Sequence, residues 1–274
     1  MGNIYVIGPR ASGKTTYLAA LAYQPSRSRR KNQNFKVQAL NEETRKLADK
    51  AENIILEGAS LEPTGKEVKT IDDLEVYSFY IEIHKKWQKK QEINLAVRDY
   101  PGEIFEDLAM GSANPLYEEF MNECLGKDVS GCLILLTEWR QGTDKFYKRV
   151  FKRFIDLMDK DERLQELRLA VAMSKCERGE LWPGRLDPEN DLFAIHFPET
   201  LSFLKDNIPS KNLQFYAIST FGVLGNKDPR PNRKQELGQE GRYSVLRETD
   251  NWSPYGMISP LYWLSTGKRM KENV

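Results

Sequence analysis

The stretch Gly8-Pro9-Arg10-Ala11-Ser12-Gly13-Lys14-Thr15-Thr16 decides the fold. It meets the pattern G-x-x-x-x-G-K-[ST] at Gly8, Gly13, Lys14 and Thr15, and each position answers a physical demand. The glycines let the chain wrap until successive backbone N–H groups point at one phosphate. Lys14 supplies a point charge that spans two phosphates, and the Thr15 hydroxyl suits a Mg2+ shell. Pro9, Ala11, Ser12 and Thr16 complete the binding loop. The surroundings are those the motif requires. Ile4-Tyr5-Val6-Ile7 before it reads as a strand. After it, Tyr17, Leu18 and Leu21 recur at helical spacing, which predicts a helix over 14–22 whose amino terminus favours an anion.

Further along, a polar basic connector over 24–34 leads to a strand over 35–40. Asn41 then reads as the N-cap of a helix carrying Leu47, Ala48, Ala51, Ile54 and Ile55 on one face, closed by Gly58. This pair, within 24–60, is an insertion relative to a minimal nucleotide-binding core. Residues 74–83 and 93–97 predict an antiparallel hairpin with a basic tip, Lys85 to Gln91. Leu116 to Leu125 reads as a helix. Cys132 to Thr137 and Leu169 to Met173 are continuous apolar runs, as in buried parallel strands. A long helix with a basic outer face lies between them. Asp187-Pro188 opens a helix that Pro198 breaks or kinks, and Phe215 to Ser219 is the last core strand. Residues 225–249 read as a mobile polar loop or arm, and 254–264 as a closing helix despite Pro260. Strands alternating with helices predict an α/β fold with a mainly parallel sheet and helices on both faces. Ligands in such sheets sit at the carboxyl ends of strands, where Gly8–Thr16, Asp99, Ser174–Glu177 and Ser219 all fall.

The 274 residues and 40% hydrophobic content suit one domain over 1–274: a core over 3–222 and a C-terminal arm and closing helix over 223–274. Charged residues make up 30% of the chain, yet the net charge is +1, which argues against a general nucleic-acid binder. The three cysteines, Cys124, Cys132 and Cys176, form no C-x-x-C pair and fit a reducing cytoplasm. Neither a signal peptide nor an apolar run near the ~20 residues of a membrane span is expected. His84 and His196 show no metal spacing.

Asp99 ends a strand well downstream of the loop, where a carboxylate can hold Mg2+. Gly102, three residues on, lets a backbone N–H approach a terminal phosphate. The order Gly8–Thr15, then Asp99-Tyr100-Pro101-Gly102, then Ser174-Lys175-Cys176-Glu177 resembles the guanine-nucleotide-binding P-loop proteins of the translation-factor and Ras-like class. The added strand and helix, with the Pro-containing closing helix, look like the bacterial double-GTPase branch. The resemblance implies a small-GTPase-like P-loop NTPase fold that binds GTP or GDP with Mg2+ and switches through partner proteins, as an effector-binding or multi-subunit component. It also implies a Mg2+-ligating threonine in the loop before the second core strand. Thr64 is the candidate and Thr70 the runner-up.

Several positions depart from the family pattern. The base-reading motif ends in Asp, whereas Glu177 carries the same acceptor pair on a stem one methylene longer. Lys175 would lie along the base, Ser174 replaces a threonine hydroxyl, and Ser219 matches a backbone contact to the base. An unpaired carboxylate fits adenine less well, so guanine is favoured. Glu103 stands where a water-orienting Gln is usual. Arg10 has two readings: a cis-acting cation at the terminal phosphate, or a solvated side chain that helps a partner dock. Three functions stay open on these residues: a slowly hydrolysing GTP switch, a nucleotide-stabilised interaction subunit with little turnover, and an ATP-using enzyme whose lid lies within 225–247.

Overall fold

The computed structural model describes residues 3–27, 35–52, 73–84, 90–111, 115–137, 140–225, 227–238 and 241–270. Thr64, Thr70 and the end of the predicted insertion helix lie outside them, as does most of the basic tip 85–91.

The chain runs β1 (Asn3–Ile7), α1 (Lys14–Arg27), β2 (Phe35–Ala39), α2 (Glu42–Glu52), β3 (Val76–Ile83), β4 (Gln91–Arg98), α3 (Gly102–Met110), α4 (Pro115–Leu125) and β5 (Val129–Leu136). There follow α5 (Thr143–Lys160), β6 (Arg168–Met173), α6 (Ala194–His196), α7 (Pro198–Asn207) and β7 (Leu213–Ala217). The chain then closes with β8 (Val223–Gly225), β9 (Asp228–Pro231), β10 (Arg233–Gly238), β11 (Gly241–Leu246) and α8 (Ser259–Thr266).

A parallel sheet has the order β1-β5-β6-β7. Its central strand β5 is buried at every position but Ser130, because helices cover both faces. A second, antiparallel sheet has the order β2-β3-β4. β4 lies against β1, where the two sheets meet. Alternation along β3 sends Tyr77, Phe79, Ile81 and Ile83 inward. They join Ile4, Val6, Tyr17, Leu18, Leu261 and Trp263 in one apolar cluster under α1 and α8. The opposite cluster gathers Ile7, Ile134, Phe105, Phe120, Phe151 and Phe154 under α3, α4 and α5. The α/β architecture with helices on both faces thus follows from two-sided burial of the parallel strands.

Helix α2 is tied to this frame at its start. Asn41 caps α2 by accepting from the Thr44 N–H at 3.0 Å, and the buried Thr44 hydroxyl accepts from the Ser78 N–H of β3 at 2.7 Å.

Three predicted elements differ in form. The helix opening at Asp187-Pro188 is a π-turn over Glu189–Phe193 and the short α6, and it breaks at Phe197 (φ −137°) before Pro198 enters the first turn of α7. Pro198 has no N–H to continue a helix, so the chain restarts there. The predicted loop over 225–249 is two antiparallel pairs, β8–β9 and β10–β11. Their polar residues satisfy the backbone through cross-strand ladders that a hydrophobicity pattern cannot show. The closing helix starts only at Ser259, so Pro260 sits in its first turn, where a missing N–H costs nothing.

Candidate functional site

The candidate segments converge at the carboxyl ends of the parallel strands. The β1 end feeds residues 8–13, β6 feeds 174–177, and β7 feeds Ser219. The β4 end feeds Asp99–Gly102 beside them.

At the phosphate end the loop is tightly wound. A Cβ at Gly8 would sit 2.4 Å from the Leu135 carbonyl oxygen, so only glycine fits beneath β5. Ala11 takes φ 58° and Gly13 φ 90°, the left-handed geometry that turns consecutive N–H groups to one side. Helix α1 makes its first closing bond from the Tyr17 N–H to Gly13 O at 2.8 Å, which leaves the earlier amides of the turn free of intrahelical acceptors. Pro9 and Ser12 are buried and Thr16 is half-buried. The Ser12 hydroxyl has no hydrogen-bond partner among the described residues. Lys14 is buried, and its ammonium donates to Gly8 O at 2.8 Å and Pro9 O at 3.2 Å. Burial pulls its pKa below the usual lysine value, while the nearby Asp99, Glu103 and Glu106 carboxylates oppose that shift.

The Thr15 hydroxyl donates to Asp99 Oδ2 at 3.0 Å across 84 residues of sequence. Asp99 is buried, and its N–H donates to Glu75 O at 3.1 Å. A hydroxyl and a carboxylate, both hard oxygens, fit a Mg2+ that keeps waters and takes phosphate oxygens as its other ligands. Gly102 opens α3 against the loop: a Cβ there would meet Arg10 N at 2.2 Å and Pro9 C at 2.7 Å. Glu103 Oε1 lies 3.6 Å from Arg10 Nη1, and both side chains are largely exposed. Arg10 therefore points out of the loop to Glu103, and neither side chain is buried among the loop amides.

At the other end, Lys175 takes φ 59° and donates to Ala11 O at 2.6 Å, reaching from β6 to the phosphate loop. Gly13 lies below it, its Cβ position 4.0 Å from Lys175 Cε. Ser174 turns into the sheet, where its hydroxyl and its N–H both donate to Leu136 O. That leaves its hydroxyl engaged within the fold. The Cys176 thiol is pushed up in pKa by burial and is inert. Glu177 is 1% exposed: Oε2 accepts from the Ser219 hydroxyl at 2.8 Å, and Oε1 has no hydrogen-bond partner among the described residues. A buried carboxylate oxygen without a hydrogen-bond partner keeps acceptor capacity for N–H donors.

Sequence reading overlooked two features. Arg233 of β10 brings Nη1 to 3.6 Å from Glu177 Oε1. It lies in a polar stretch without a motif, so no local signal marks it. Glu123 of α4 accepts from Tyr100 Oη at 2.6 Å and from Arg98 Nε at 2.9 Å, which ties the Asp99 segment to α4. A cavity of about 460 Å³ lies between α2 and the start of β3, lined by Lys46, Lys50, Asp73 and Glu75.

A family model described as Double-GTPase 1 matches residues 5–166. Among solved structures the chain is similar to the signal recognition particle receptor SRb-GTP/SRX complex from Chaetomium thermophilum. The identity is 11% and the TM-score 0.37, over 81% of this chain and 92% of that one. It is also similar to Sup35 complexed with GDP, at 9% identity and TM-score 0.34, over 88% of this chain and 40% of that one. No curated protein matches it. The matched family span holds the phosphate loop and Asp99–Gly102 and stops short of Ser174–Glu177. It covers more than half of the 274 residues, and the chain belongs to the Double-GTPase 1 family.

Proposed function

We propose that this chain is a GTP-binding molecular switch of bacterial type, working in the cytoplasm through partner proteins and hydrolysing GTP slowly. Membership in a GTPase family implies guanine-nucleotide binding. The observation that carries the switch reading is the meeting of Thr15, Asp99 and Gly102. The Thr15–Asp99 hydrogen bond and the Gly102 backbone against Pro9–Arg10 put the start of α3 at the mouth of the phosphate loop. A terminal phosphate entering there changes what that segment touches, which is the basis of a two-state element.

In this reading the amides of Gly8–Thr16 and the Lys14 ammonium hold the phosphates, and the Gly102 N–H meets the terminal one. Lys175 lies along the base, Glu177 accepts from guanine, and Ser219 supports both. Thr15 and Asp99 would hold Mg2+, with Thr64 as a further ligand from the segment outside the described residues. Bound there, Mg2+ neutralises phosphate charge. Glu103 orients water. Its carboxylate is a poor substitute for an amide near a triphosphate of like charge, which is why turnover is slow. No helix among the described residues is long and apolar enough to cross a membrane.

A second reading has a specific observation behind it. Glu103 is paired with Arg10, which fits a subunit that holds guanine nucleotide for structure and does not turn it over. Single-turnover phosphate release with GTP and with ATP, together with identification of the bound nucleotide, separates the readings. GTP cleaved and ATP ignored is the result expected. Tight guanine nucleotide without release supports the interaction subunit, and a preference for ATP overturns both.

A further inference from the structure

The base end contains a charge that the GTPase pattern does not include. Glu177 is buried, with one carboxylate oxygen held by Ser219 and the other shielded from solvent and without a hydrogen-bond partner among the described residues. An isolated buried carboxylate is costly and free to rotate about its stem, more so in glutamate than in aspartate. Arg233 lies beside that second oxygen, at 3.6 Å. That distance is an ion pair and is too long for a hydrogen bond, so the lone pairs of Oε1 stay available.

Arg233 is itself fixed. Its Nε donates to the Ser244 hydroxyl at 2.7 Å, its side chain is 15% exposed, and its guanidinium lies 6.0 Å from the centre of the Phe221 ring. The preceding residue, Asn232, is fully buried: its N–H donates to Gly222 O at 3.0 Å, and its side chain bonds the Glu248 backbone in both directions. Gly222 in turn donates its N–H to the Ser219 hydroxyl at 2.8 Å, the same hydroxyl that holds Glu177. A continuous chain of bonds thus runs from the β10–β11 pair through Asn232, Gly222 and Ser219 to the carboxylate. Gly222 cannot be replaced without disturbing it, since φ is 72° and a Cβ would lie 2.0 Å from Ser253 O.

We infer that Arg233 is a positioning residue for base recognition: with Ser219 it fixes the long Glu177 side chain in the one orientation from which its carboxylate can accept from the guanine N–H donors. The C-terminal strands, well past the span that the family model matches, then form part of the nucleotide site. Arg233 does not touch the phosphates and acts only through Glu177, so its loss weakens discrimination between bases and spares the phosphate contribution. This inference rests on the guanine-binding reading above.

The test measures Kd for GDP, IDP and ADP by calorimetry on the full chain, as wild type, Arg233→Gln and Arg233→Lys, with the melting temperature of each. IDP lacks the 2-amino group, and ADP lacks the donor pattern altogether. Arg233→Gln is expected to weaken GDP about tenfold, the scale of one charge-assisted hydrogen bond. ADP should change by less than about twofold, so the GDP-to-ADP ratio collapses, and Arg233→Lys recovers part of it. Unchanged GDP affinity in Arg233→Gln overturns the inference. So does an equal fall for GDP and ADP, which marks a general structural role. A wild type that binds ADP as tightly as GDP overturns the guanine reading itself, whatever Arg233 does.

Discussion

Gly102→Ala isolates the contact between the phosphate loop and α3. By local propensity the change is favourable, since Gly102 is the first residue of α3 and alanine is the better helix former by up to about 1 kcal/mol. Packing says the opposite. The new methyl would lie 2.2 Å from Arg10 N and 2.4 Å from Arg10 Cα. These are backbone atoms of a tightly wound loop, which cannot swing aside as a side-chain tip can. Restoring ordinary contact requires roughly 1 Å of separation between loop and helix, and overpacking of this kind costs about 1–3 kcal/mol. At 2–4 °C per kcal/mol for a chain near this size, the nucleotide-free melting temperature should fall by about 2–12 °C. The same separation moves the Gly102 N–H away from the place of a terminal phosphate. Thermal shift with GDP and with a non-hydrolysable GTP analogue reads both effects. The GDP increment should survive, and the extra increment from the analogue should vanish. A variant that melts with the wild type and keeps the full analogue increment would refute the packing of Gly102 on the loop.

Asp99→Asn and Thr15→Ala should each raise the Mg2+ concentration needed for tight GTP-analogue binding by about 10–100-fold, measured by metal titration at fixed analogue. Unchanged metal dependence in both would remove them from the Mg2+ site. Lys14 gives a pH signature. Burial lowers its pKa in the nucleotide-free protein, so the unfolded chain holds more protons between that lowered value and the ordinary lysine pKa, and nucleotide-free stability rises with pH through that window. Arriving phosphates favour the charged form and raise the pKa again. Binding should therefore take up protons at pH values between that lowered pKa and the ordinary lysine value, seen as a binding enthalpy that varies with buffer ionisation enthalpy. A buffer-independent enthalpy across that range would contradict this. Arg10→Ala breaks an exposed pair worth about 0–1 kcal/mol, so melting temperature and GTP affinity should hold, with turnover within about twofold. A fall of 100-fold or more in turnover at unchanged affinity would instead assign Arg10 to the terminal phosphate.

Much of the phosphate end was legible because its chemistry is local. Gly8 to Thr16 is a contiguous motif between a β-branched strand and an amphipathic helix, and each residue's type reports its backbone task. Buried strands such as Val129–Leu136 declare themselves by composition, and Asn41 announces its helix by a side chain that caps the turn immediately after it. The base end was half legible. Ser174-Lys175-Cys176-Glu177 is contiguous, yet its spacing cannot tell that Ser174 turns into the sheet or that Glu177 is buried with one oxygen lacking a hydrogen-bond partner among the described residues. The strands over 223–246 were read as a loop because their order depends on partners across the ladder, and polar alternation without an apolar face leaves no periodic trace.

Sequence by itself determined that this chain has a phosphate loop, a parallel sheet with covered faces and an acid at the end of a neighbouring strand. Those features depend on residue type and on spacing within a few positions, which the covalent chain preserves. Only the tertiary structure decided that Thr15 meets Asp99 across 84 residues, that Gly102 rests on the loop backbone, and that Arg233 reaches Glu177. Each is a contact between segments whose separation along the chain says nothing of their distance in space. They are set by how the sheets join and how the helices pack, and the energy that fixes them is spread over the whole apolar core.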